Sequence, residues 1–460
     1  MSKIILIHPK YETHIITPSL GLGYLAASLL KDGHEVNIID CVARNISHKN
    51  VLEILKKEKP NIVGITIMSM FYKNALELIQ MIRTNIDTKI VIGGPHVSAL
   101  PEYSLSNSKA DFAIIGEGEE TFKELAIKID QKTEYSKILG ICFWSDDKVV
   151  STPSRPLIKN LDTISFPAWH IISPDTYPPA PHGGFYKRYP TAPIITTRGC
   201  PFDCTFCSSK CTWKRKLRAR SANNVVDEIE FMIKTFGIKE FHFEDDNFTF
   251  SKKHAMDVCN EIIKRNLDIV WACPNGVRID KLDKELLEKM KQSGCYLLAF
   301  GIESGSQTIL DKANKMLDVN LVSTIINTAK EIGIQTWGFF LIGLPGETKE
   351  TVETTIKFSL SLPLDRAQFS NFIPLPGTDI YKDWSTKKNN NINWDEMYFT
   401  GDAIYETEQL SSKELTCLQK KAFRKFYFRP LILIKTVLNM KPHQYRWFLK
   451  RILSYKLYKT

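Results

Sequence analysis

Apolar residues recur along this chain in two alternating rhythms. Short β-branched runs start 22 to 32 residues apart: KIILI from Lys3, EVNII from Glu35, NIVGITI from Asn61, KIVIGG from Lys89 and DFAIIG from Asp111. Between them lie stretches with helical spacing, such as GYLAASLLKDG (Gly23 to Gly33) and YKNALELIQMIR (Tyr72 to Arg83). Strict alternation of strand and helix predicts a parallel sheet with helices on both faces, and Gly33 suits a helix C-cap. In such sheets a ligand lies outside the carboxyl ends of the strands. The loops at those ends are HPKYETHIITPSLGLG, DCVARN, TIMSMF, GGPHVSALPE and GEGEETF.

From Thr133 to about Pro190 the rhythm breaks. A hairpin pattern, GICFWSDDKVVSTP, precedes a proline-rich traverse, YPPAPHGGFYKRYPTAP, which reads as a surface connection. A second series then begins at APIITTRGC. Its strand patterns are PIITT, KEFHFED, DIVWACP, YLLAFGIE, QTWGFFLIG and RAQFSNFI, separated by helical patterns such as NNVVDEIEFMIKTFG and LVSTIINTAKEIG. Six βα units of this length predict a barrel or partial barrel with its functional residues at the C-terminal strand ends. The expected architecture is therefore α/β throughout: a Rossmann-like doubly wound sheet over residues 1–132, a hairpin and linker over 133–190, a (β/α)6 partial TIM barrel over 191–400, and a helical extension over 401–460 interrupted at Pro430.

Composition fits globular domains: 43% of the 460 residues are hydrophobic and 24% charged. The opening MSKIILIHPKYETH holds one short apolar run and reads as no signal peptide, so a cytoplasmic, reducing setting is expected, in which clustered thiols are metal ligands or catalysts. No apolar run is long enough for a transmembrane helix. The net charge of +10 is concentrated at the end: residues 412–460 hold thirteen Lys or Arg against one acid, Glu414, which leaves the rest of the chain slightly acidic. The main domains therefore lack the electrostatic footprint of a nucleic-acid binder. The basic tail mixes its cations with Phe, Tyr, Trp and Leu. It reads either as a solvated helix pair packed on the barrel or as an interfacial segment that touches anionic lipid headgroups, at the inner face of the membrane.

Four of the ten cysteines fall within TTRGCPFDCTFCSSKC (Thr196 to Cys211). Cys200, Cys204 and Cys207 form C-x3-C-x2-C after the first strand of the second series. Three thiolates on one loop can hold three corners of a cuboidal four-iron cluster and leave one iron open. The other reading is a zinc site closed by Cys211. Cys259, Cys273, Cys295 and Cys417 are scattered and read as core residues.

With Phe206 before the third cysteine, this motif resembles that of the radical S-adenosylmethionine (SAM) enzymes. The resemblance implies a 4Fe-4S cluster on Cys200, Cys204 and Cys207 whose open iron binds the amino and carboxylate groups of SAM. One electron, delivered by a reductase, flavodoxin or ferredoxin, then splits SAM into methionine and a 5′-deoxyadenosyl radical. The resemblance further implies that Asp245 or Asp246 of FHFEDDNF meets the methionyl amino group and that Glu303 of GIESGS, beside Ser304, takes the ribose hydroxyls. It also sets Gly343 of FFLIGLPGET against the adenine. Asn275 and Arg278 of ACPNGVR could face the substrate.

The stretches PSLGLGYLAASLLKDGHEVNIID, GGPHVSALPE and GEGEETF make the first domain similar to the cobalamin-binding domain of the cobalamin-dependent radical SAM class. That likeness implies a corrin between the domains with its nucleotide tail against Thr66, Ser69, Gly93 and Gly94, and His96 as a hydrogen-bonding partner or a purely structural histidine. Asp32-Gly33-His34 only imitates the start of a cobalt-ligating motif and precedes the wrong strand. The implied function is methylation of an unactivated carbon of a small-molecule, lipid-like or natural-product substrate through methylcobalamin. The alternatives are cyclisation or rearrangement with the same cofactors, and a non-catalytic cobalamin or zinc binder. No catalytic acid or base is assigned.

Overall fold

The computed structural model describes residues 1–13, 15–179, 186–389, 391–399 and 401–438. Two sheets organise the chain. In the first, strands β1 (Lys3–His8), β2 (Glu35–Asp40), β3 (Ile62–Thr66), β4 (Lys89–Gly93), β5 (Phe112–Ile114), β6 (Ile141–Ser145) and β7 (Lys148–Ser151) lie in the order β2-β1-β3-β4-β5-β6-β7. The first five are parallel, and the last two form the hairpin, which joins the sheet through β6 antiparallel to β5. The hairpin thus completes the first sheet, where the break in rhythm had suggested part of a connection. Alternate side chains of β1 enter opposite helix layers, as the two-residue period requires: Ile4 and Leu6 join one apolar cluster, Ile5 and Ile7 the other. The strand order reverses between β1 and β3, which opens a crevice at their carboxyl ends. Gly33 ends the helix Leu20–Lys31 with φ +85°, as its position predicts, and His34 is buried with its Nδ1 accepting the Ser2 N–H.

The second sheet contains β8 (Thr191–Ile194), β9 (Glu240–Phe243), β10 (Val270–Val277), β11 (Cys295–Glu303), β12 (Gln335–Ile342) and β13 (Arg366–Asn371), all parallel and in sequential order. This is the expected open (β/α)6 barrel. Ser221, Ser251, Asp283, Asp318 and Thr348 cap the helices that return the chain, each accepting a backbone N–H of the first turn. The helix Ser412–Tyr427 covers the last strand. Gln419 donates to Phe369 O and Tyr427 to Ala367 O.

The two sheets meet at their C-terminal ends through a buried group of four charges. Arg198 donates to Glu117 Oε1 at 2.9 Å and to Glu119 Oε1 at 2.6 Å, and Arg218 reaches Glu117 Oε2 at 2.7 Å. The glutamates belong to GEGEETF of the first sheet. The arginines belong to a two-stranded ribbon, Thr197–Arg198 with Arg218–Ala219, at the start of the cysteine loop. The Arg198 guanidinium also lies over the rings of Tyr24 and Trp213. Removing one partner of a buried pair strands the other charge and costs roughly 3–5 kcal/mol. Arg198→Met is accordingly expected to lower the unfolding free energy by about that amount in urea denaturation, and Arg198→Lys by less.

Candidate active site

The cysteine loop leaves β8 under tight control. Asp245, at the end of β9 and fully buried, accepts hydrogen bonds from Thr196 N at 3.1 Å, Thr196 Oγ1 at 2.9 Å, Thr197 Oγ1 at 2.5 Å and Thr197 N. His254 Nε2 meets Thr196 Oγ1 at 3.0 Å. Burial pushes the Asp245 carboxyl up to about 6 against the pull of these donors. Gly199 follows at φ +90°, where an added Cβ would lie 2.4 Å from Lys216 O, so only glycine makes this turn. Cys200 and Cys207 are then half-buried, and Cys204 is buried.

Phe206 forms part of an apolar floor with Ile309, Ala313, Leu344 and Phe372, at the ends of strands β11 to β13. Lys315 Nζ lies 5.7 Å from the Phe206 ring centroid and pairs with Glu303 Oε1 at 2.8 Å. Glu303 adopts φ +66°, and Gly301 leaves room for the pair: a Cβ there would stand 2.8 Å from Glu303 Oε1 and 2.9 Å from Lys315 Nζ. Burial raises the Cys204 thiol, and the Lys315 charge opposes that shift. Asn247 donates from Nδ2 to Cys200 Sγ at 3.8 Å, while its buried Oδ1 has no partner among the described residues. The exposed Asp246 lies between them in sequence, with its carboxylate on Gly199 N–H and the Trp213 side chain.

The structure therefore brings Cys200, Cys204, Cys207, Phe206, Asp246 and Glu303 to one place and turns others inward. Asp245 locks the loop. Ser304 bonds Thr355 Oγ1 at 3.0 Å, and Gly343 lies beneath Leu415 of the C-terminal helix. Arg278 is a strut that stacks on Phe202 at 3.5 Å and donates to Lys315 O and Met316 O; Asn275 is exposed. Lys315 escaped the sequence reading because it stands in no distinctive motif, and Asn247, although within FHFEDDNF, because its acidic neighbours Asp245 and Asp246 drew the assignment. Arg198 was equally hidden, since its partners lie about eighty residues earlier.

A cluster fits this loop. Among the described residues no three His, Cys, Asp or Glu side chains converge on a single-ion site, whereas a cuboidal cluster takes each thiolate at a different iron. Cys211 packs on Gly377, which also faces Ala99 of the first domain. Opposite the loop, at the ends of β3 and β4, Thr66, Ser69, Gly93 and Gly94 are half-buried around the crevice. His96 is buried, stacked on Tyr72 at 4.3 Å and held at Nδ1 by Ser69 Oγ at 2.9 Å. Its Nε2 and the Tyr72 hydroxyl have no partner among the described residues. Buried polar atoms left without a partner suit an amide-rich ligand such as cobalamin.

Replacing Cys200, Cys204 or Cys207 singly by alanine is expected to abolish iron retention after anaerobic reconstitution, read by absorbance near 400 nm; Cys211→Ala is expected to retain it. A second prediction concerns Glu347, whose Oε2 accepts Gly343 N at 2.6 Å and Leu344 N at 3.2 Å. Burial raises its carboxyl to about 7 from an ordinary 4.5, so the stability it confers below pH 4.5 is lost as pH rises through 7. Glu347→Gln should raise stability by roughly 2–3 kcal/mol at pH 8.5 and by much less at pH 5.5.

Two family models match the chain: the Radical SAM superfamily over residues 194–359 and the B12 binding domain over residues 3–126. The chain is 36% identical over 447 residues to an uncharacterized methyltransferase of Pyrococcus horikoshii, covering 95% of this chain and 94% of that one. It is 30% identical to the cytidylyl-2-hydroxyethylphosphonate methyltransferase of Streptomyces wedmorensis, covering 83% and 81%. In fold it matches the radical SAM methyltransferase TsrM from Kitasatospora setae, solved with cobalamin and a [4Fe-4S] cluster bound, with a TM-score of 0.72, 22% identity and coverage of 84% and 78%. With a cysteine loop built for a cluster and a sheet built for a corrin, the chain belongs to the cobalamin-dependent radical SAM methyltransferase family.

Proposed function

We propose that this enzyme transfers a methyl group to an unactivated carbon of a small, lipid-like or natural-product substrate. The observation that carries the reading is the clamp of Arg198 on Glu117 and Glu119, which fixes the cysteine loop against the sheet that takes cobalamin. When bound, the cluster supplies the electron that splits SAM, and cobalamin supplies the methyl group. The chain's own residues do the holding. Glu303 accepts the ribose hydroxyls, Lys315 presents its charge to the methionyl carboxylate, and Asn247 Oδ1 receives the methionyl amino group. Thr66, Ser69, Gly93 and Gly94 line the corrin's nucleotide tail, and His96 Nε2 donates or accepts there according to its tautomer. Fixed positions of this kind lower the barrier by prepaying orientation.

A reduced flavodoxin or ferredoxin is the fitting electron donor, and the basic C-terminal segment is the fitting contact with a membrane surface. Among the described residues no helix is long and apolar enough to cross a membrane.

Methyl transfer consumes two molecules of SAM per product. Anaerobic turnover with methyl-labelled SAM, cobalamin, reductant and lipid or phosphonate extracts is expected to yield S-adenosylhomocysteine and 5′-deoxyadenosine in equal amounts, with label in one extract component. 5′-Deoxyadenosine alone, with a product of unchanged carbon count, would establish cyclisation or rearrangement in its place.

A further inference from the structure

Thirteen large apolar side chains are exposed among the described residues, and four of them fall within seven positions: Phe428 at 58%, Leu431 at 74%, Leu433 at 38% and Ile434 at 55%. They belong to the start of the helix Pro430–Leu438 and the residues just before it. The ridge stands on a fixed base. Ile432, on the other side of the same helix, is buried in the main core, and the preceding helix Ser412–Tyr427 is bonded to the last barrel strand through Gln419 and Tyr427. An apolar ridge held outward on a rigid base marks an interaction surface.

Charge selects the occupant. Arg424 and Lys425 lie one turn before the ridge, Lys435 follows it, and no acid occurs anywhere from Leu415 to Thr460. Residues 439–460, which follow the helix, add six more cations interleaved with Tyr445, Trp447, Phe448, Tyr455 and Tyr458. Folding these residues back over the ridge would gather like charges in a segment that holds no acidic side chain of its own. Apolar side chains, aromatic residues with polar tips and unopposed cations within one segment match the headgroup region of an anionic bilayer.

We propose that Phe428, Leu431 and Ile434, with the cations around them, dock this enzyme on an anionic lipid bilayer. The docking deepens the membrane placement proposed above and would set the barrel beside a lipid-borne substrate. The binding test reads no chemistry, so its failure would leave the methyl-transfer reading untouched.

The test is cosedimentation of the full chain with vesicles of phosphatidylglycerol and phosphatidylcholine, against vesicles of phosphatidylcholine alone. Binding to the anionic vesicles alone is expected, weakening at least tenfold between 50 and 500 mM salt, because exposed charges are screened. Leu431→Ser with Ile434→Ser should weaken it at least tenfold further, while an unchanged melting temperature shows that the fold persists. Removing residues 439–460 should weaken binding without abolishing it. Failure to bind anionic vesicles, binding equal to that on neutral ones, or full binding by the serine double variant would overturn the proposal. So would a self-associated wild type that becomes monomeric in the double variant, since the ridge would then be a contact between copies.

Discussion

Three consecutive residues hold this molecule to its task. Thr196 and Thr197 hang on the buried carboxylate of Asp245 inside the barrel, and Arg198 is gripped by Glu117 and Glu119 of the other sheet. Cys200, the first cysteine of the motif, comes two residues later. The loop is thus fixed on one side to the domain that holds SAM and on the other to the domain that holds cobalamin. Gly199 completes the constraint, because its left-handed turn is closed to any side chain by Lys216 O. Buried charges of this kind add little net stability against an apolar alternative. Their value lies in register, since they accept only one placement of the two sheets.

The same economy governs the acids of the barrel. Glu303 and Asp245 are both buried carboxylates at strand ends, yet their surroundings give them different work. Asp245 is buried and accepts from four donors of its own chain. Glu303 meets one cation, Lys315, on the side that faces the cysteine loop. Glu347 serves neither end and folds the loop after β12 by accepting two backbone amides.

The five parallel strands of the first sheet were legible as β-branched runs, because a strand buried on both faces by helices must be apolar along its length. The six barrel strands were legible as short apolar or aromatic segments between helical patterns. The cysteine spacing was legible because its chemistry is local to one loop. What escaped was the choice among neighbouring polar residues. Of Glu244, Asp245 and Asp246, adjacent in sequence, the chain alone gives no sign of which turns inward; that depends on where Thr196 and Thr197 arrive from another strand. The neighbours of Ser304 and Gly343 were hidden for the same reason, since Thr355 and Leu415 reach them from distant helices. The hairpin β6–β7 was legible as a hairpin, but not its place in the first sheet, because that depends on its pairing with β5. The aromatic and basic pattern of residues 439–460 lies outside the described residues.

The claim on which the account turns is that one locked interface holds both cofactors within reach of a single carbon. Electron paramagnetic resonance of the protein loaded with cob(II)alamin and the reduced cluster tests it directly. The account predicts that each signal relaxes faster in the doubly loaded protein than in either singly loaded form, through magnetic coupling across the interface. Relaxation identical in all three forms would place the two centres too far apart and contradict it.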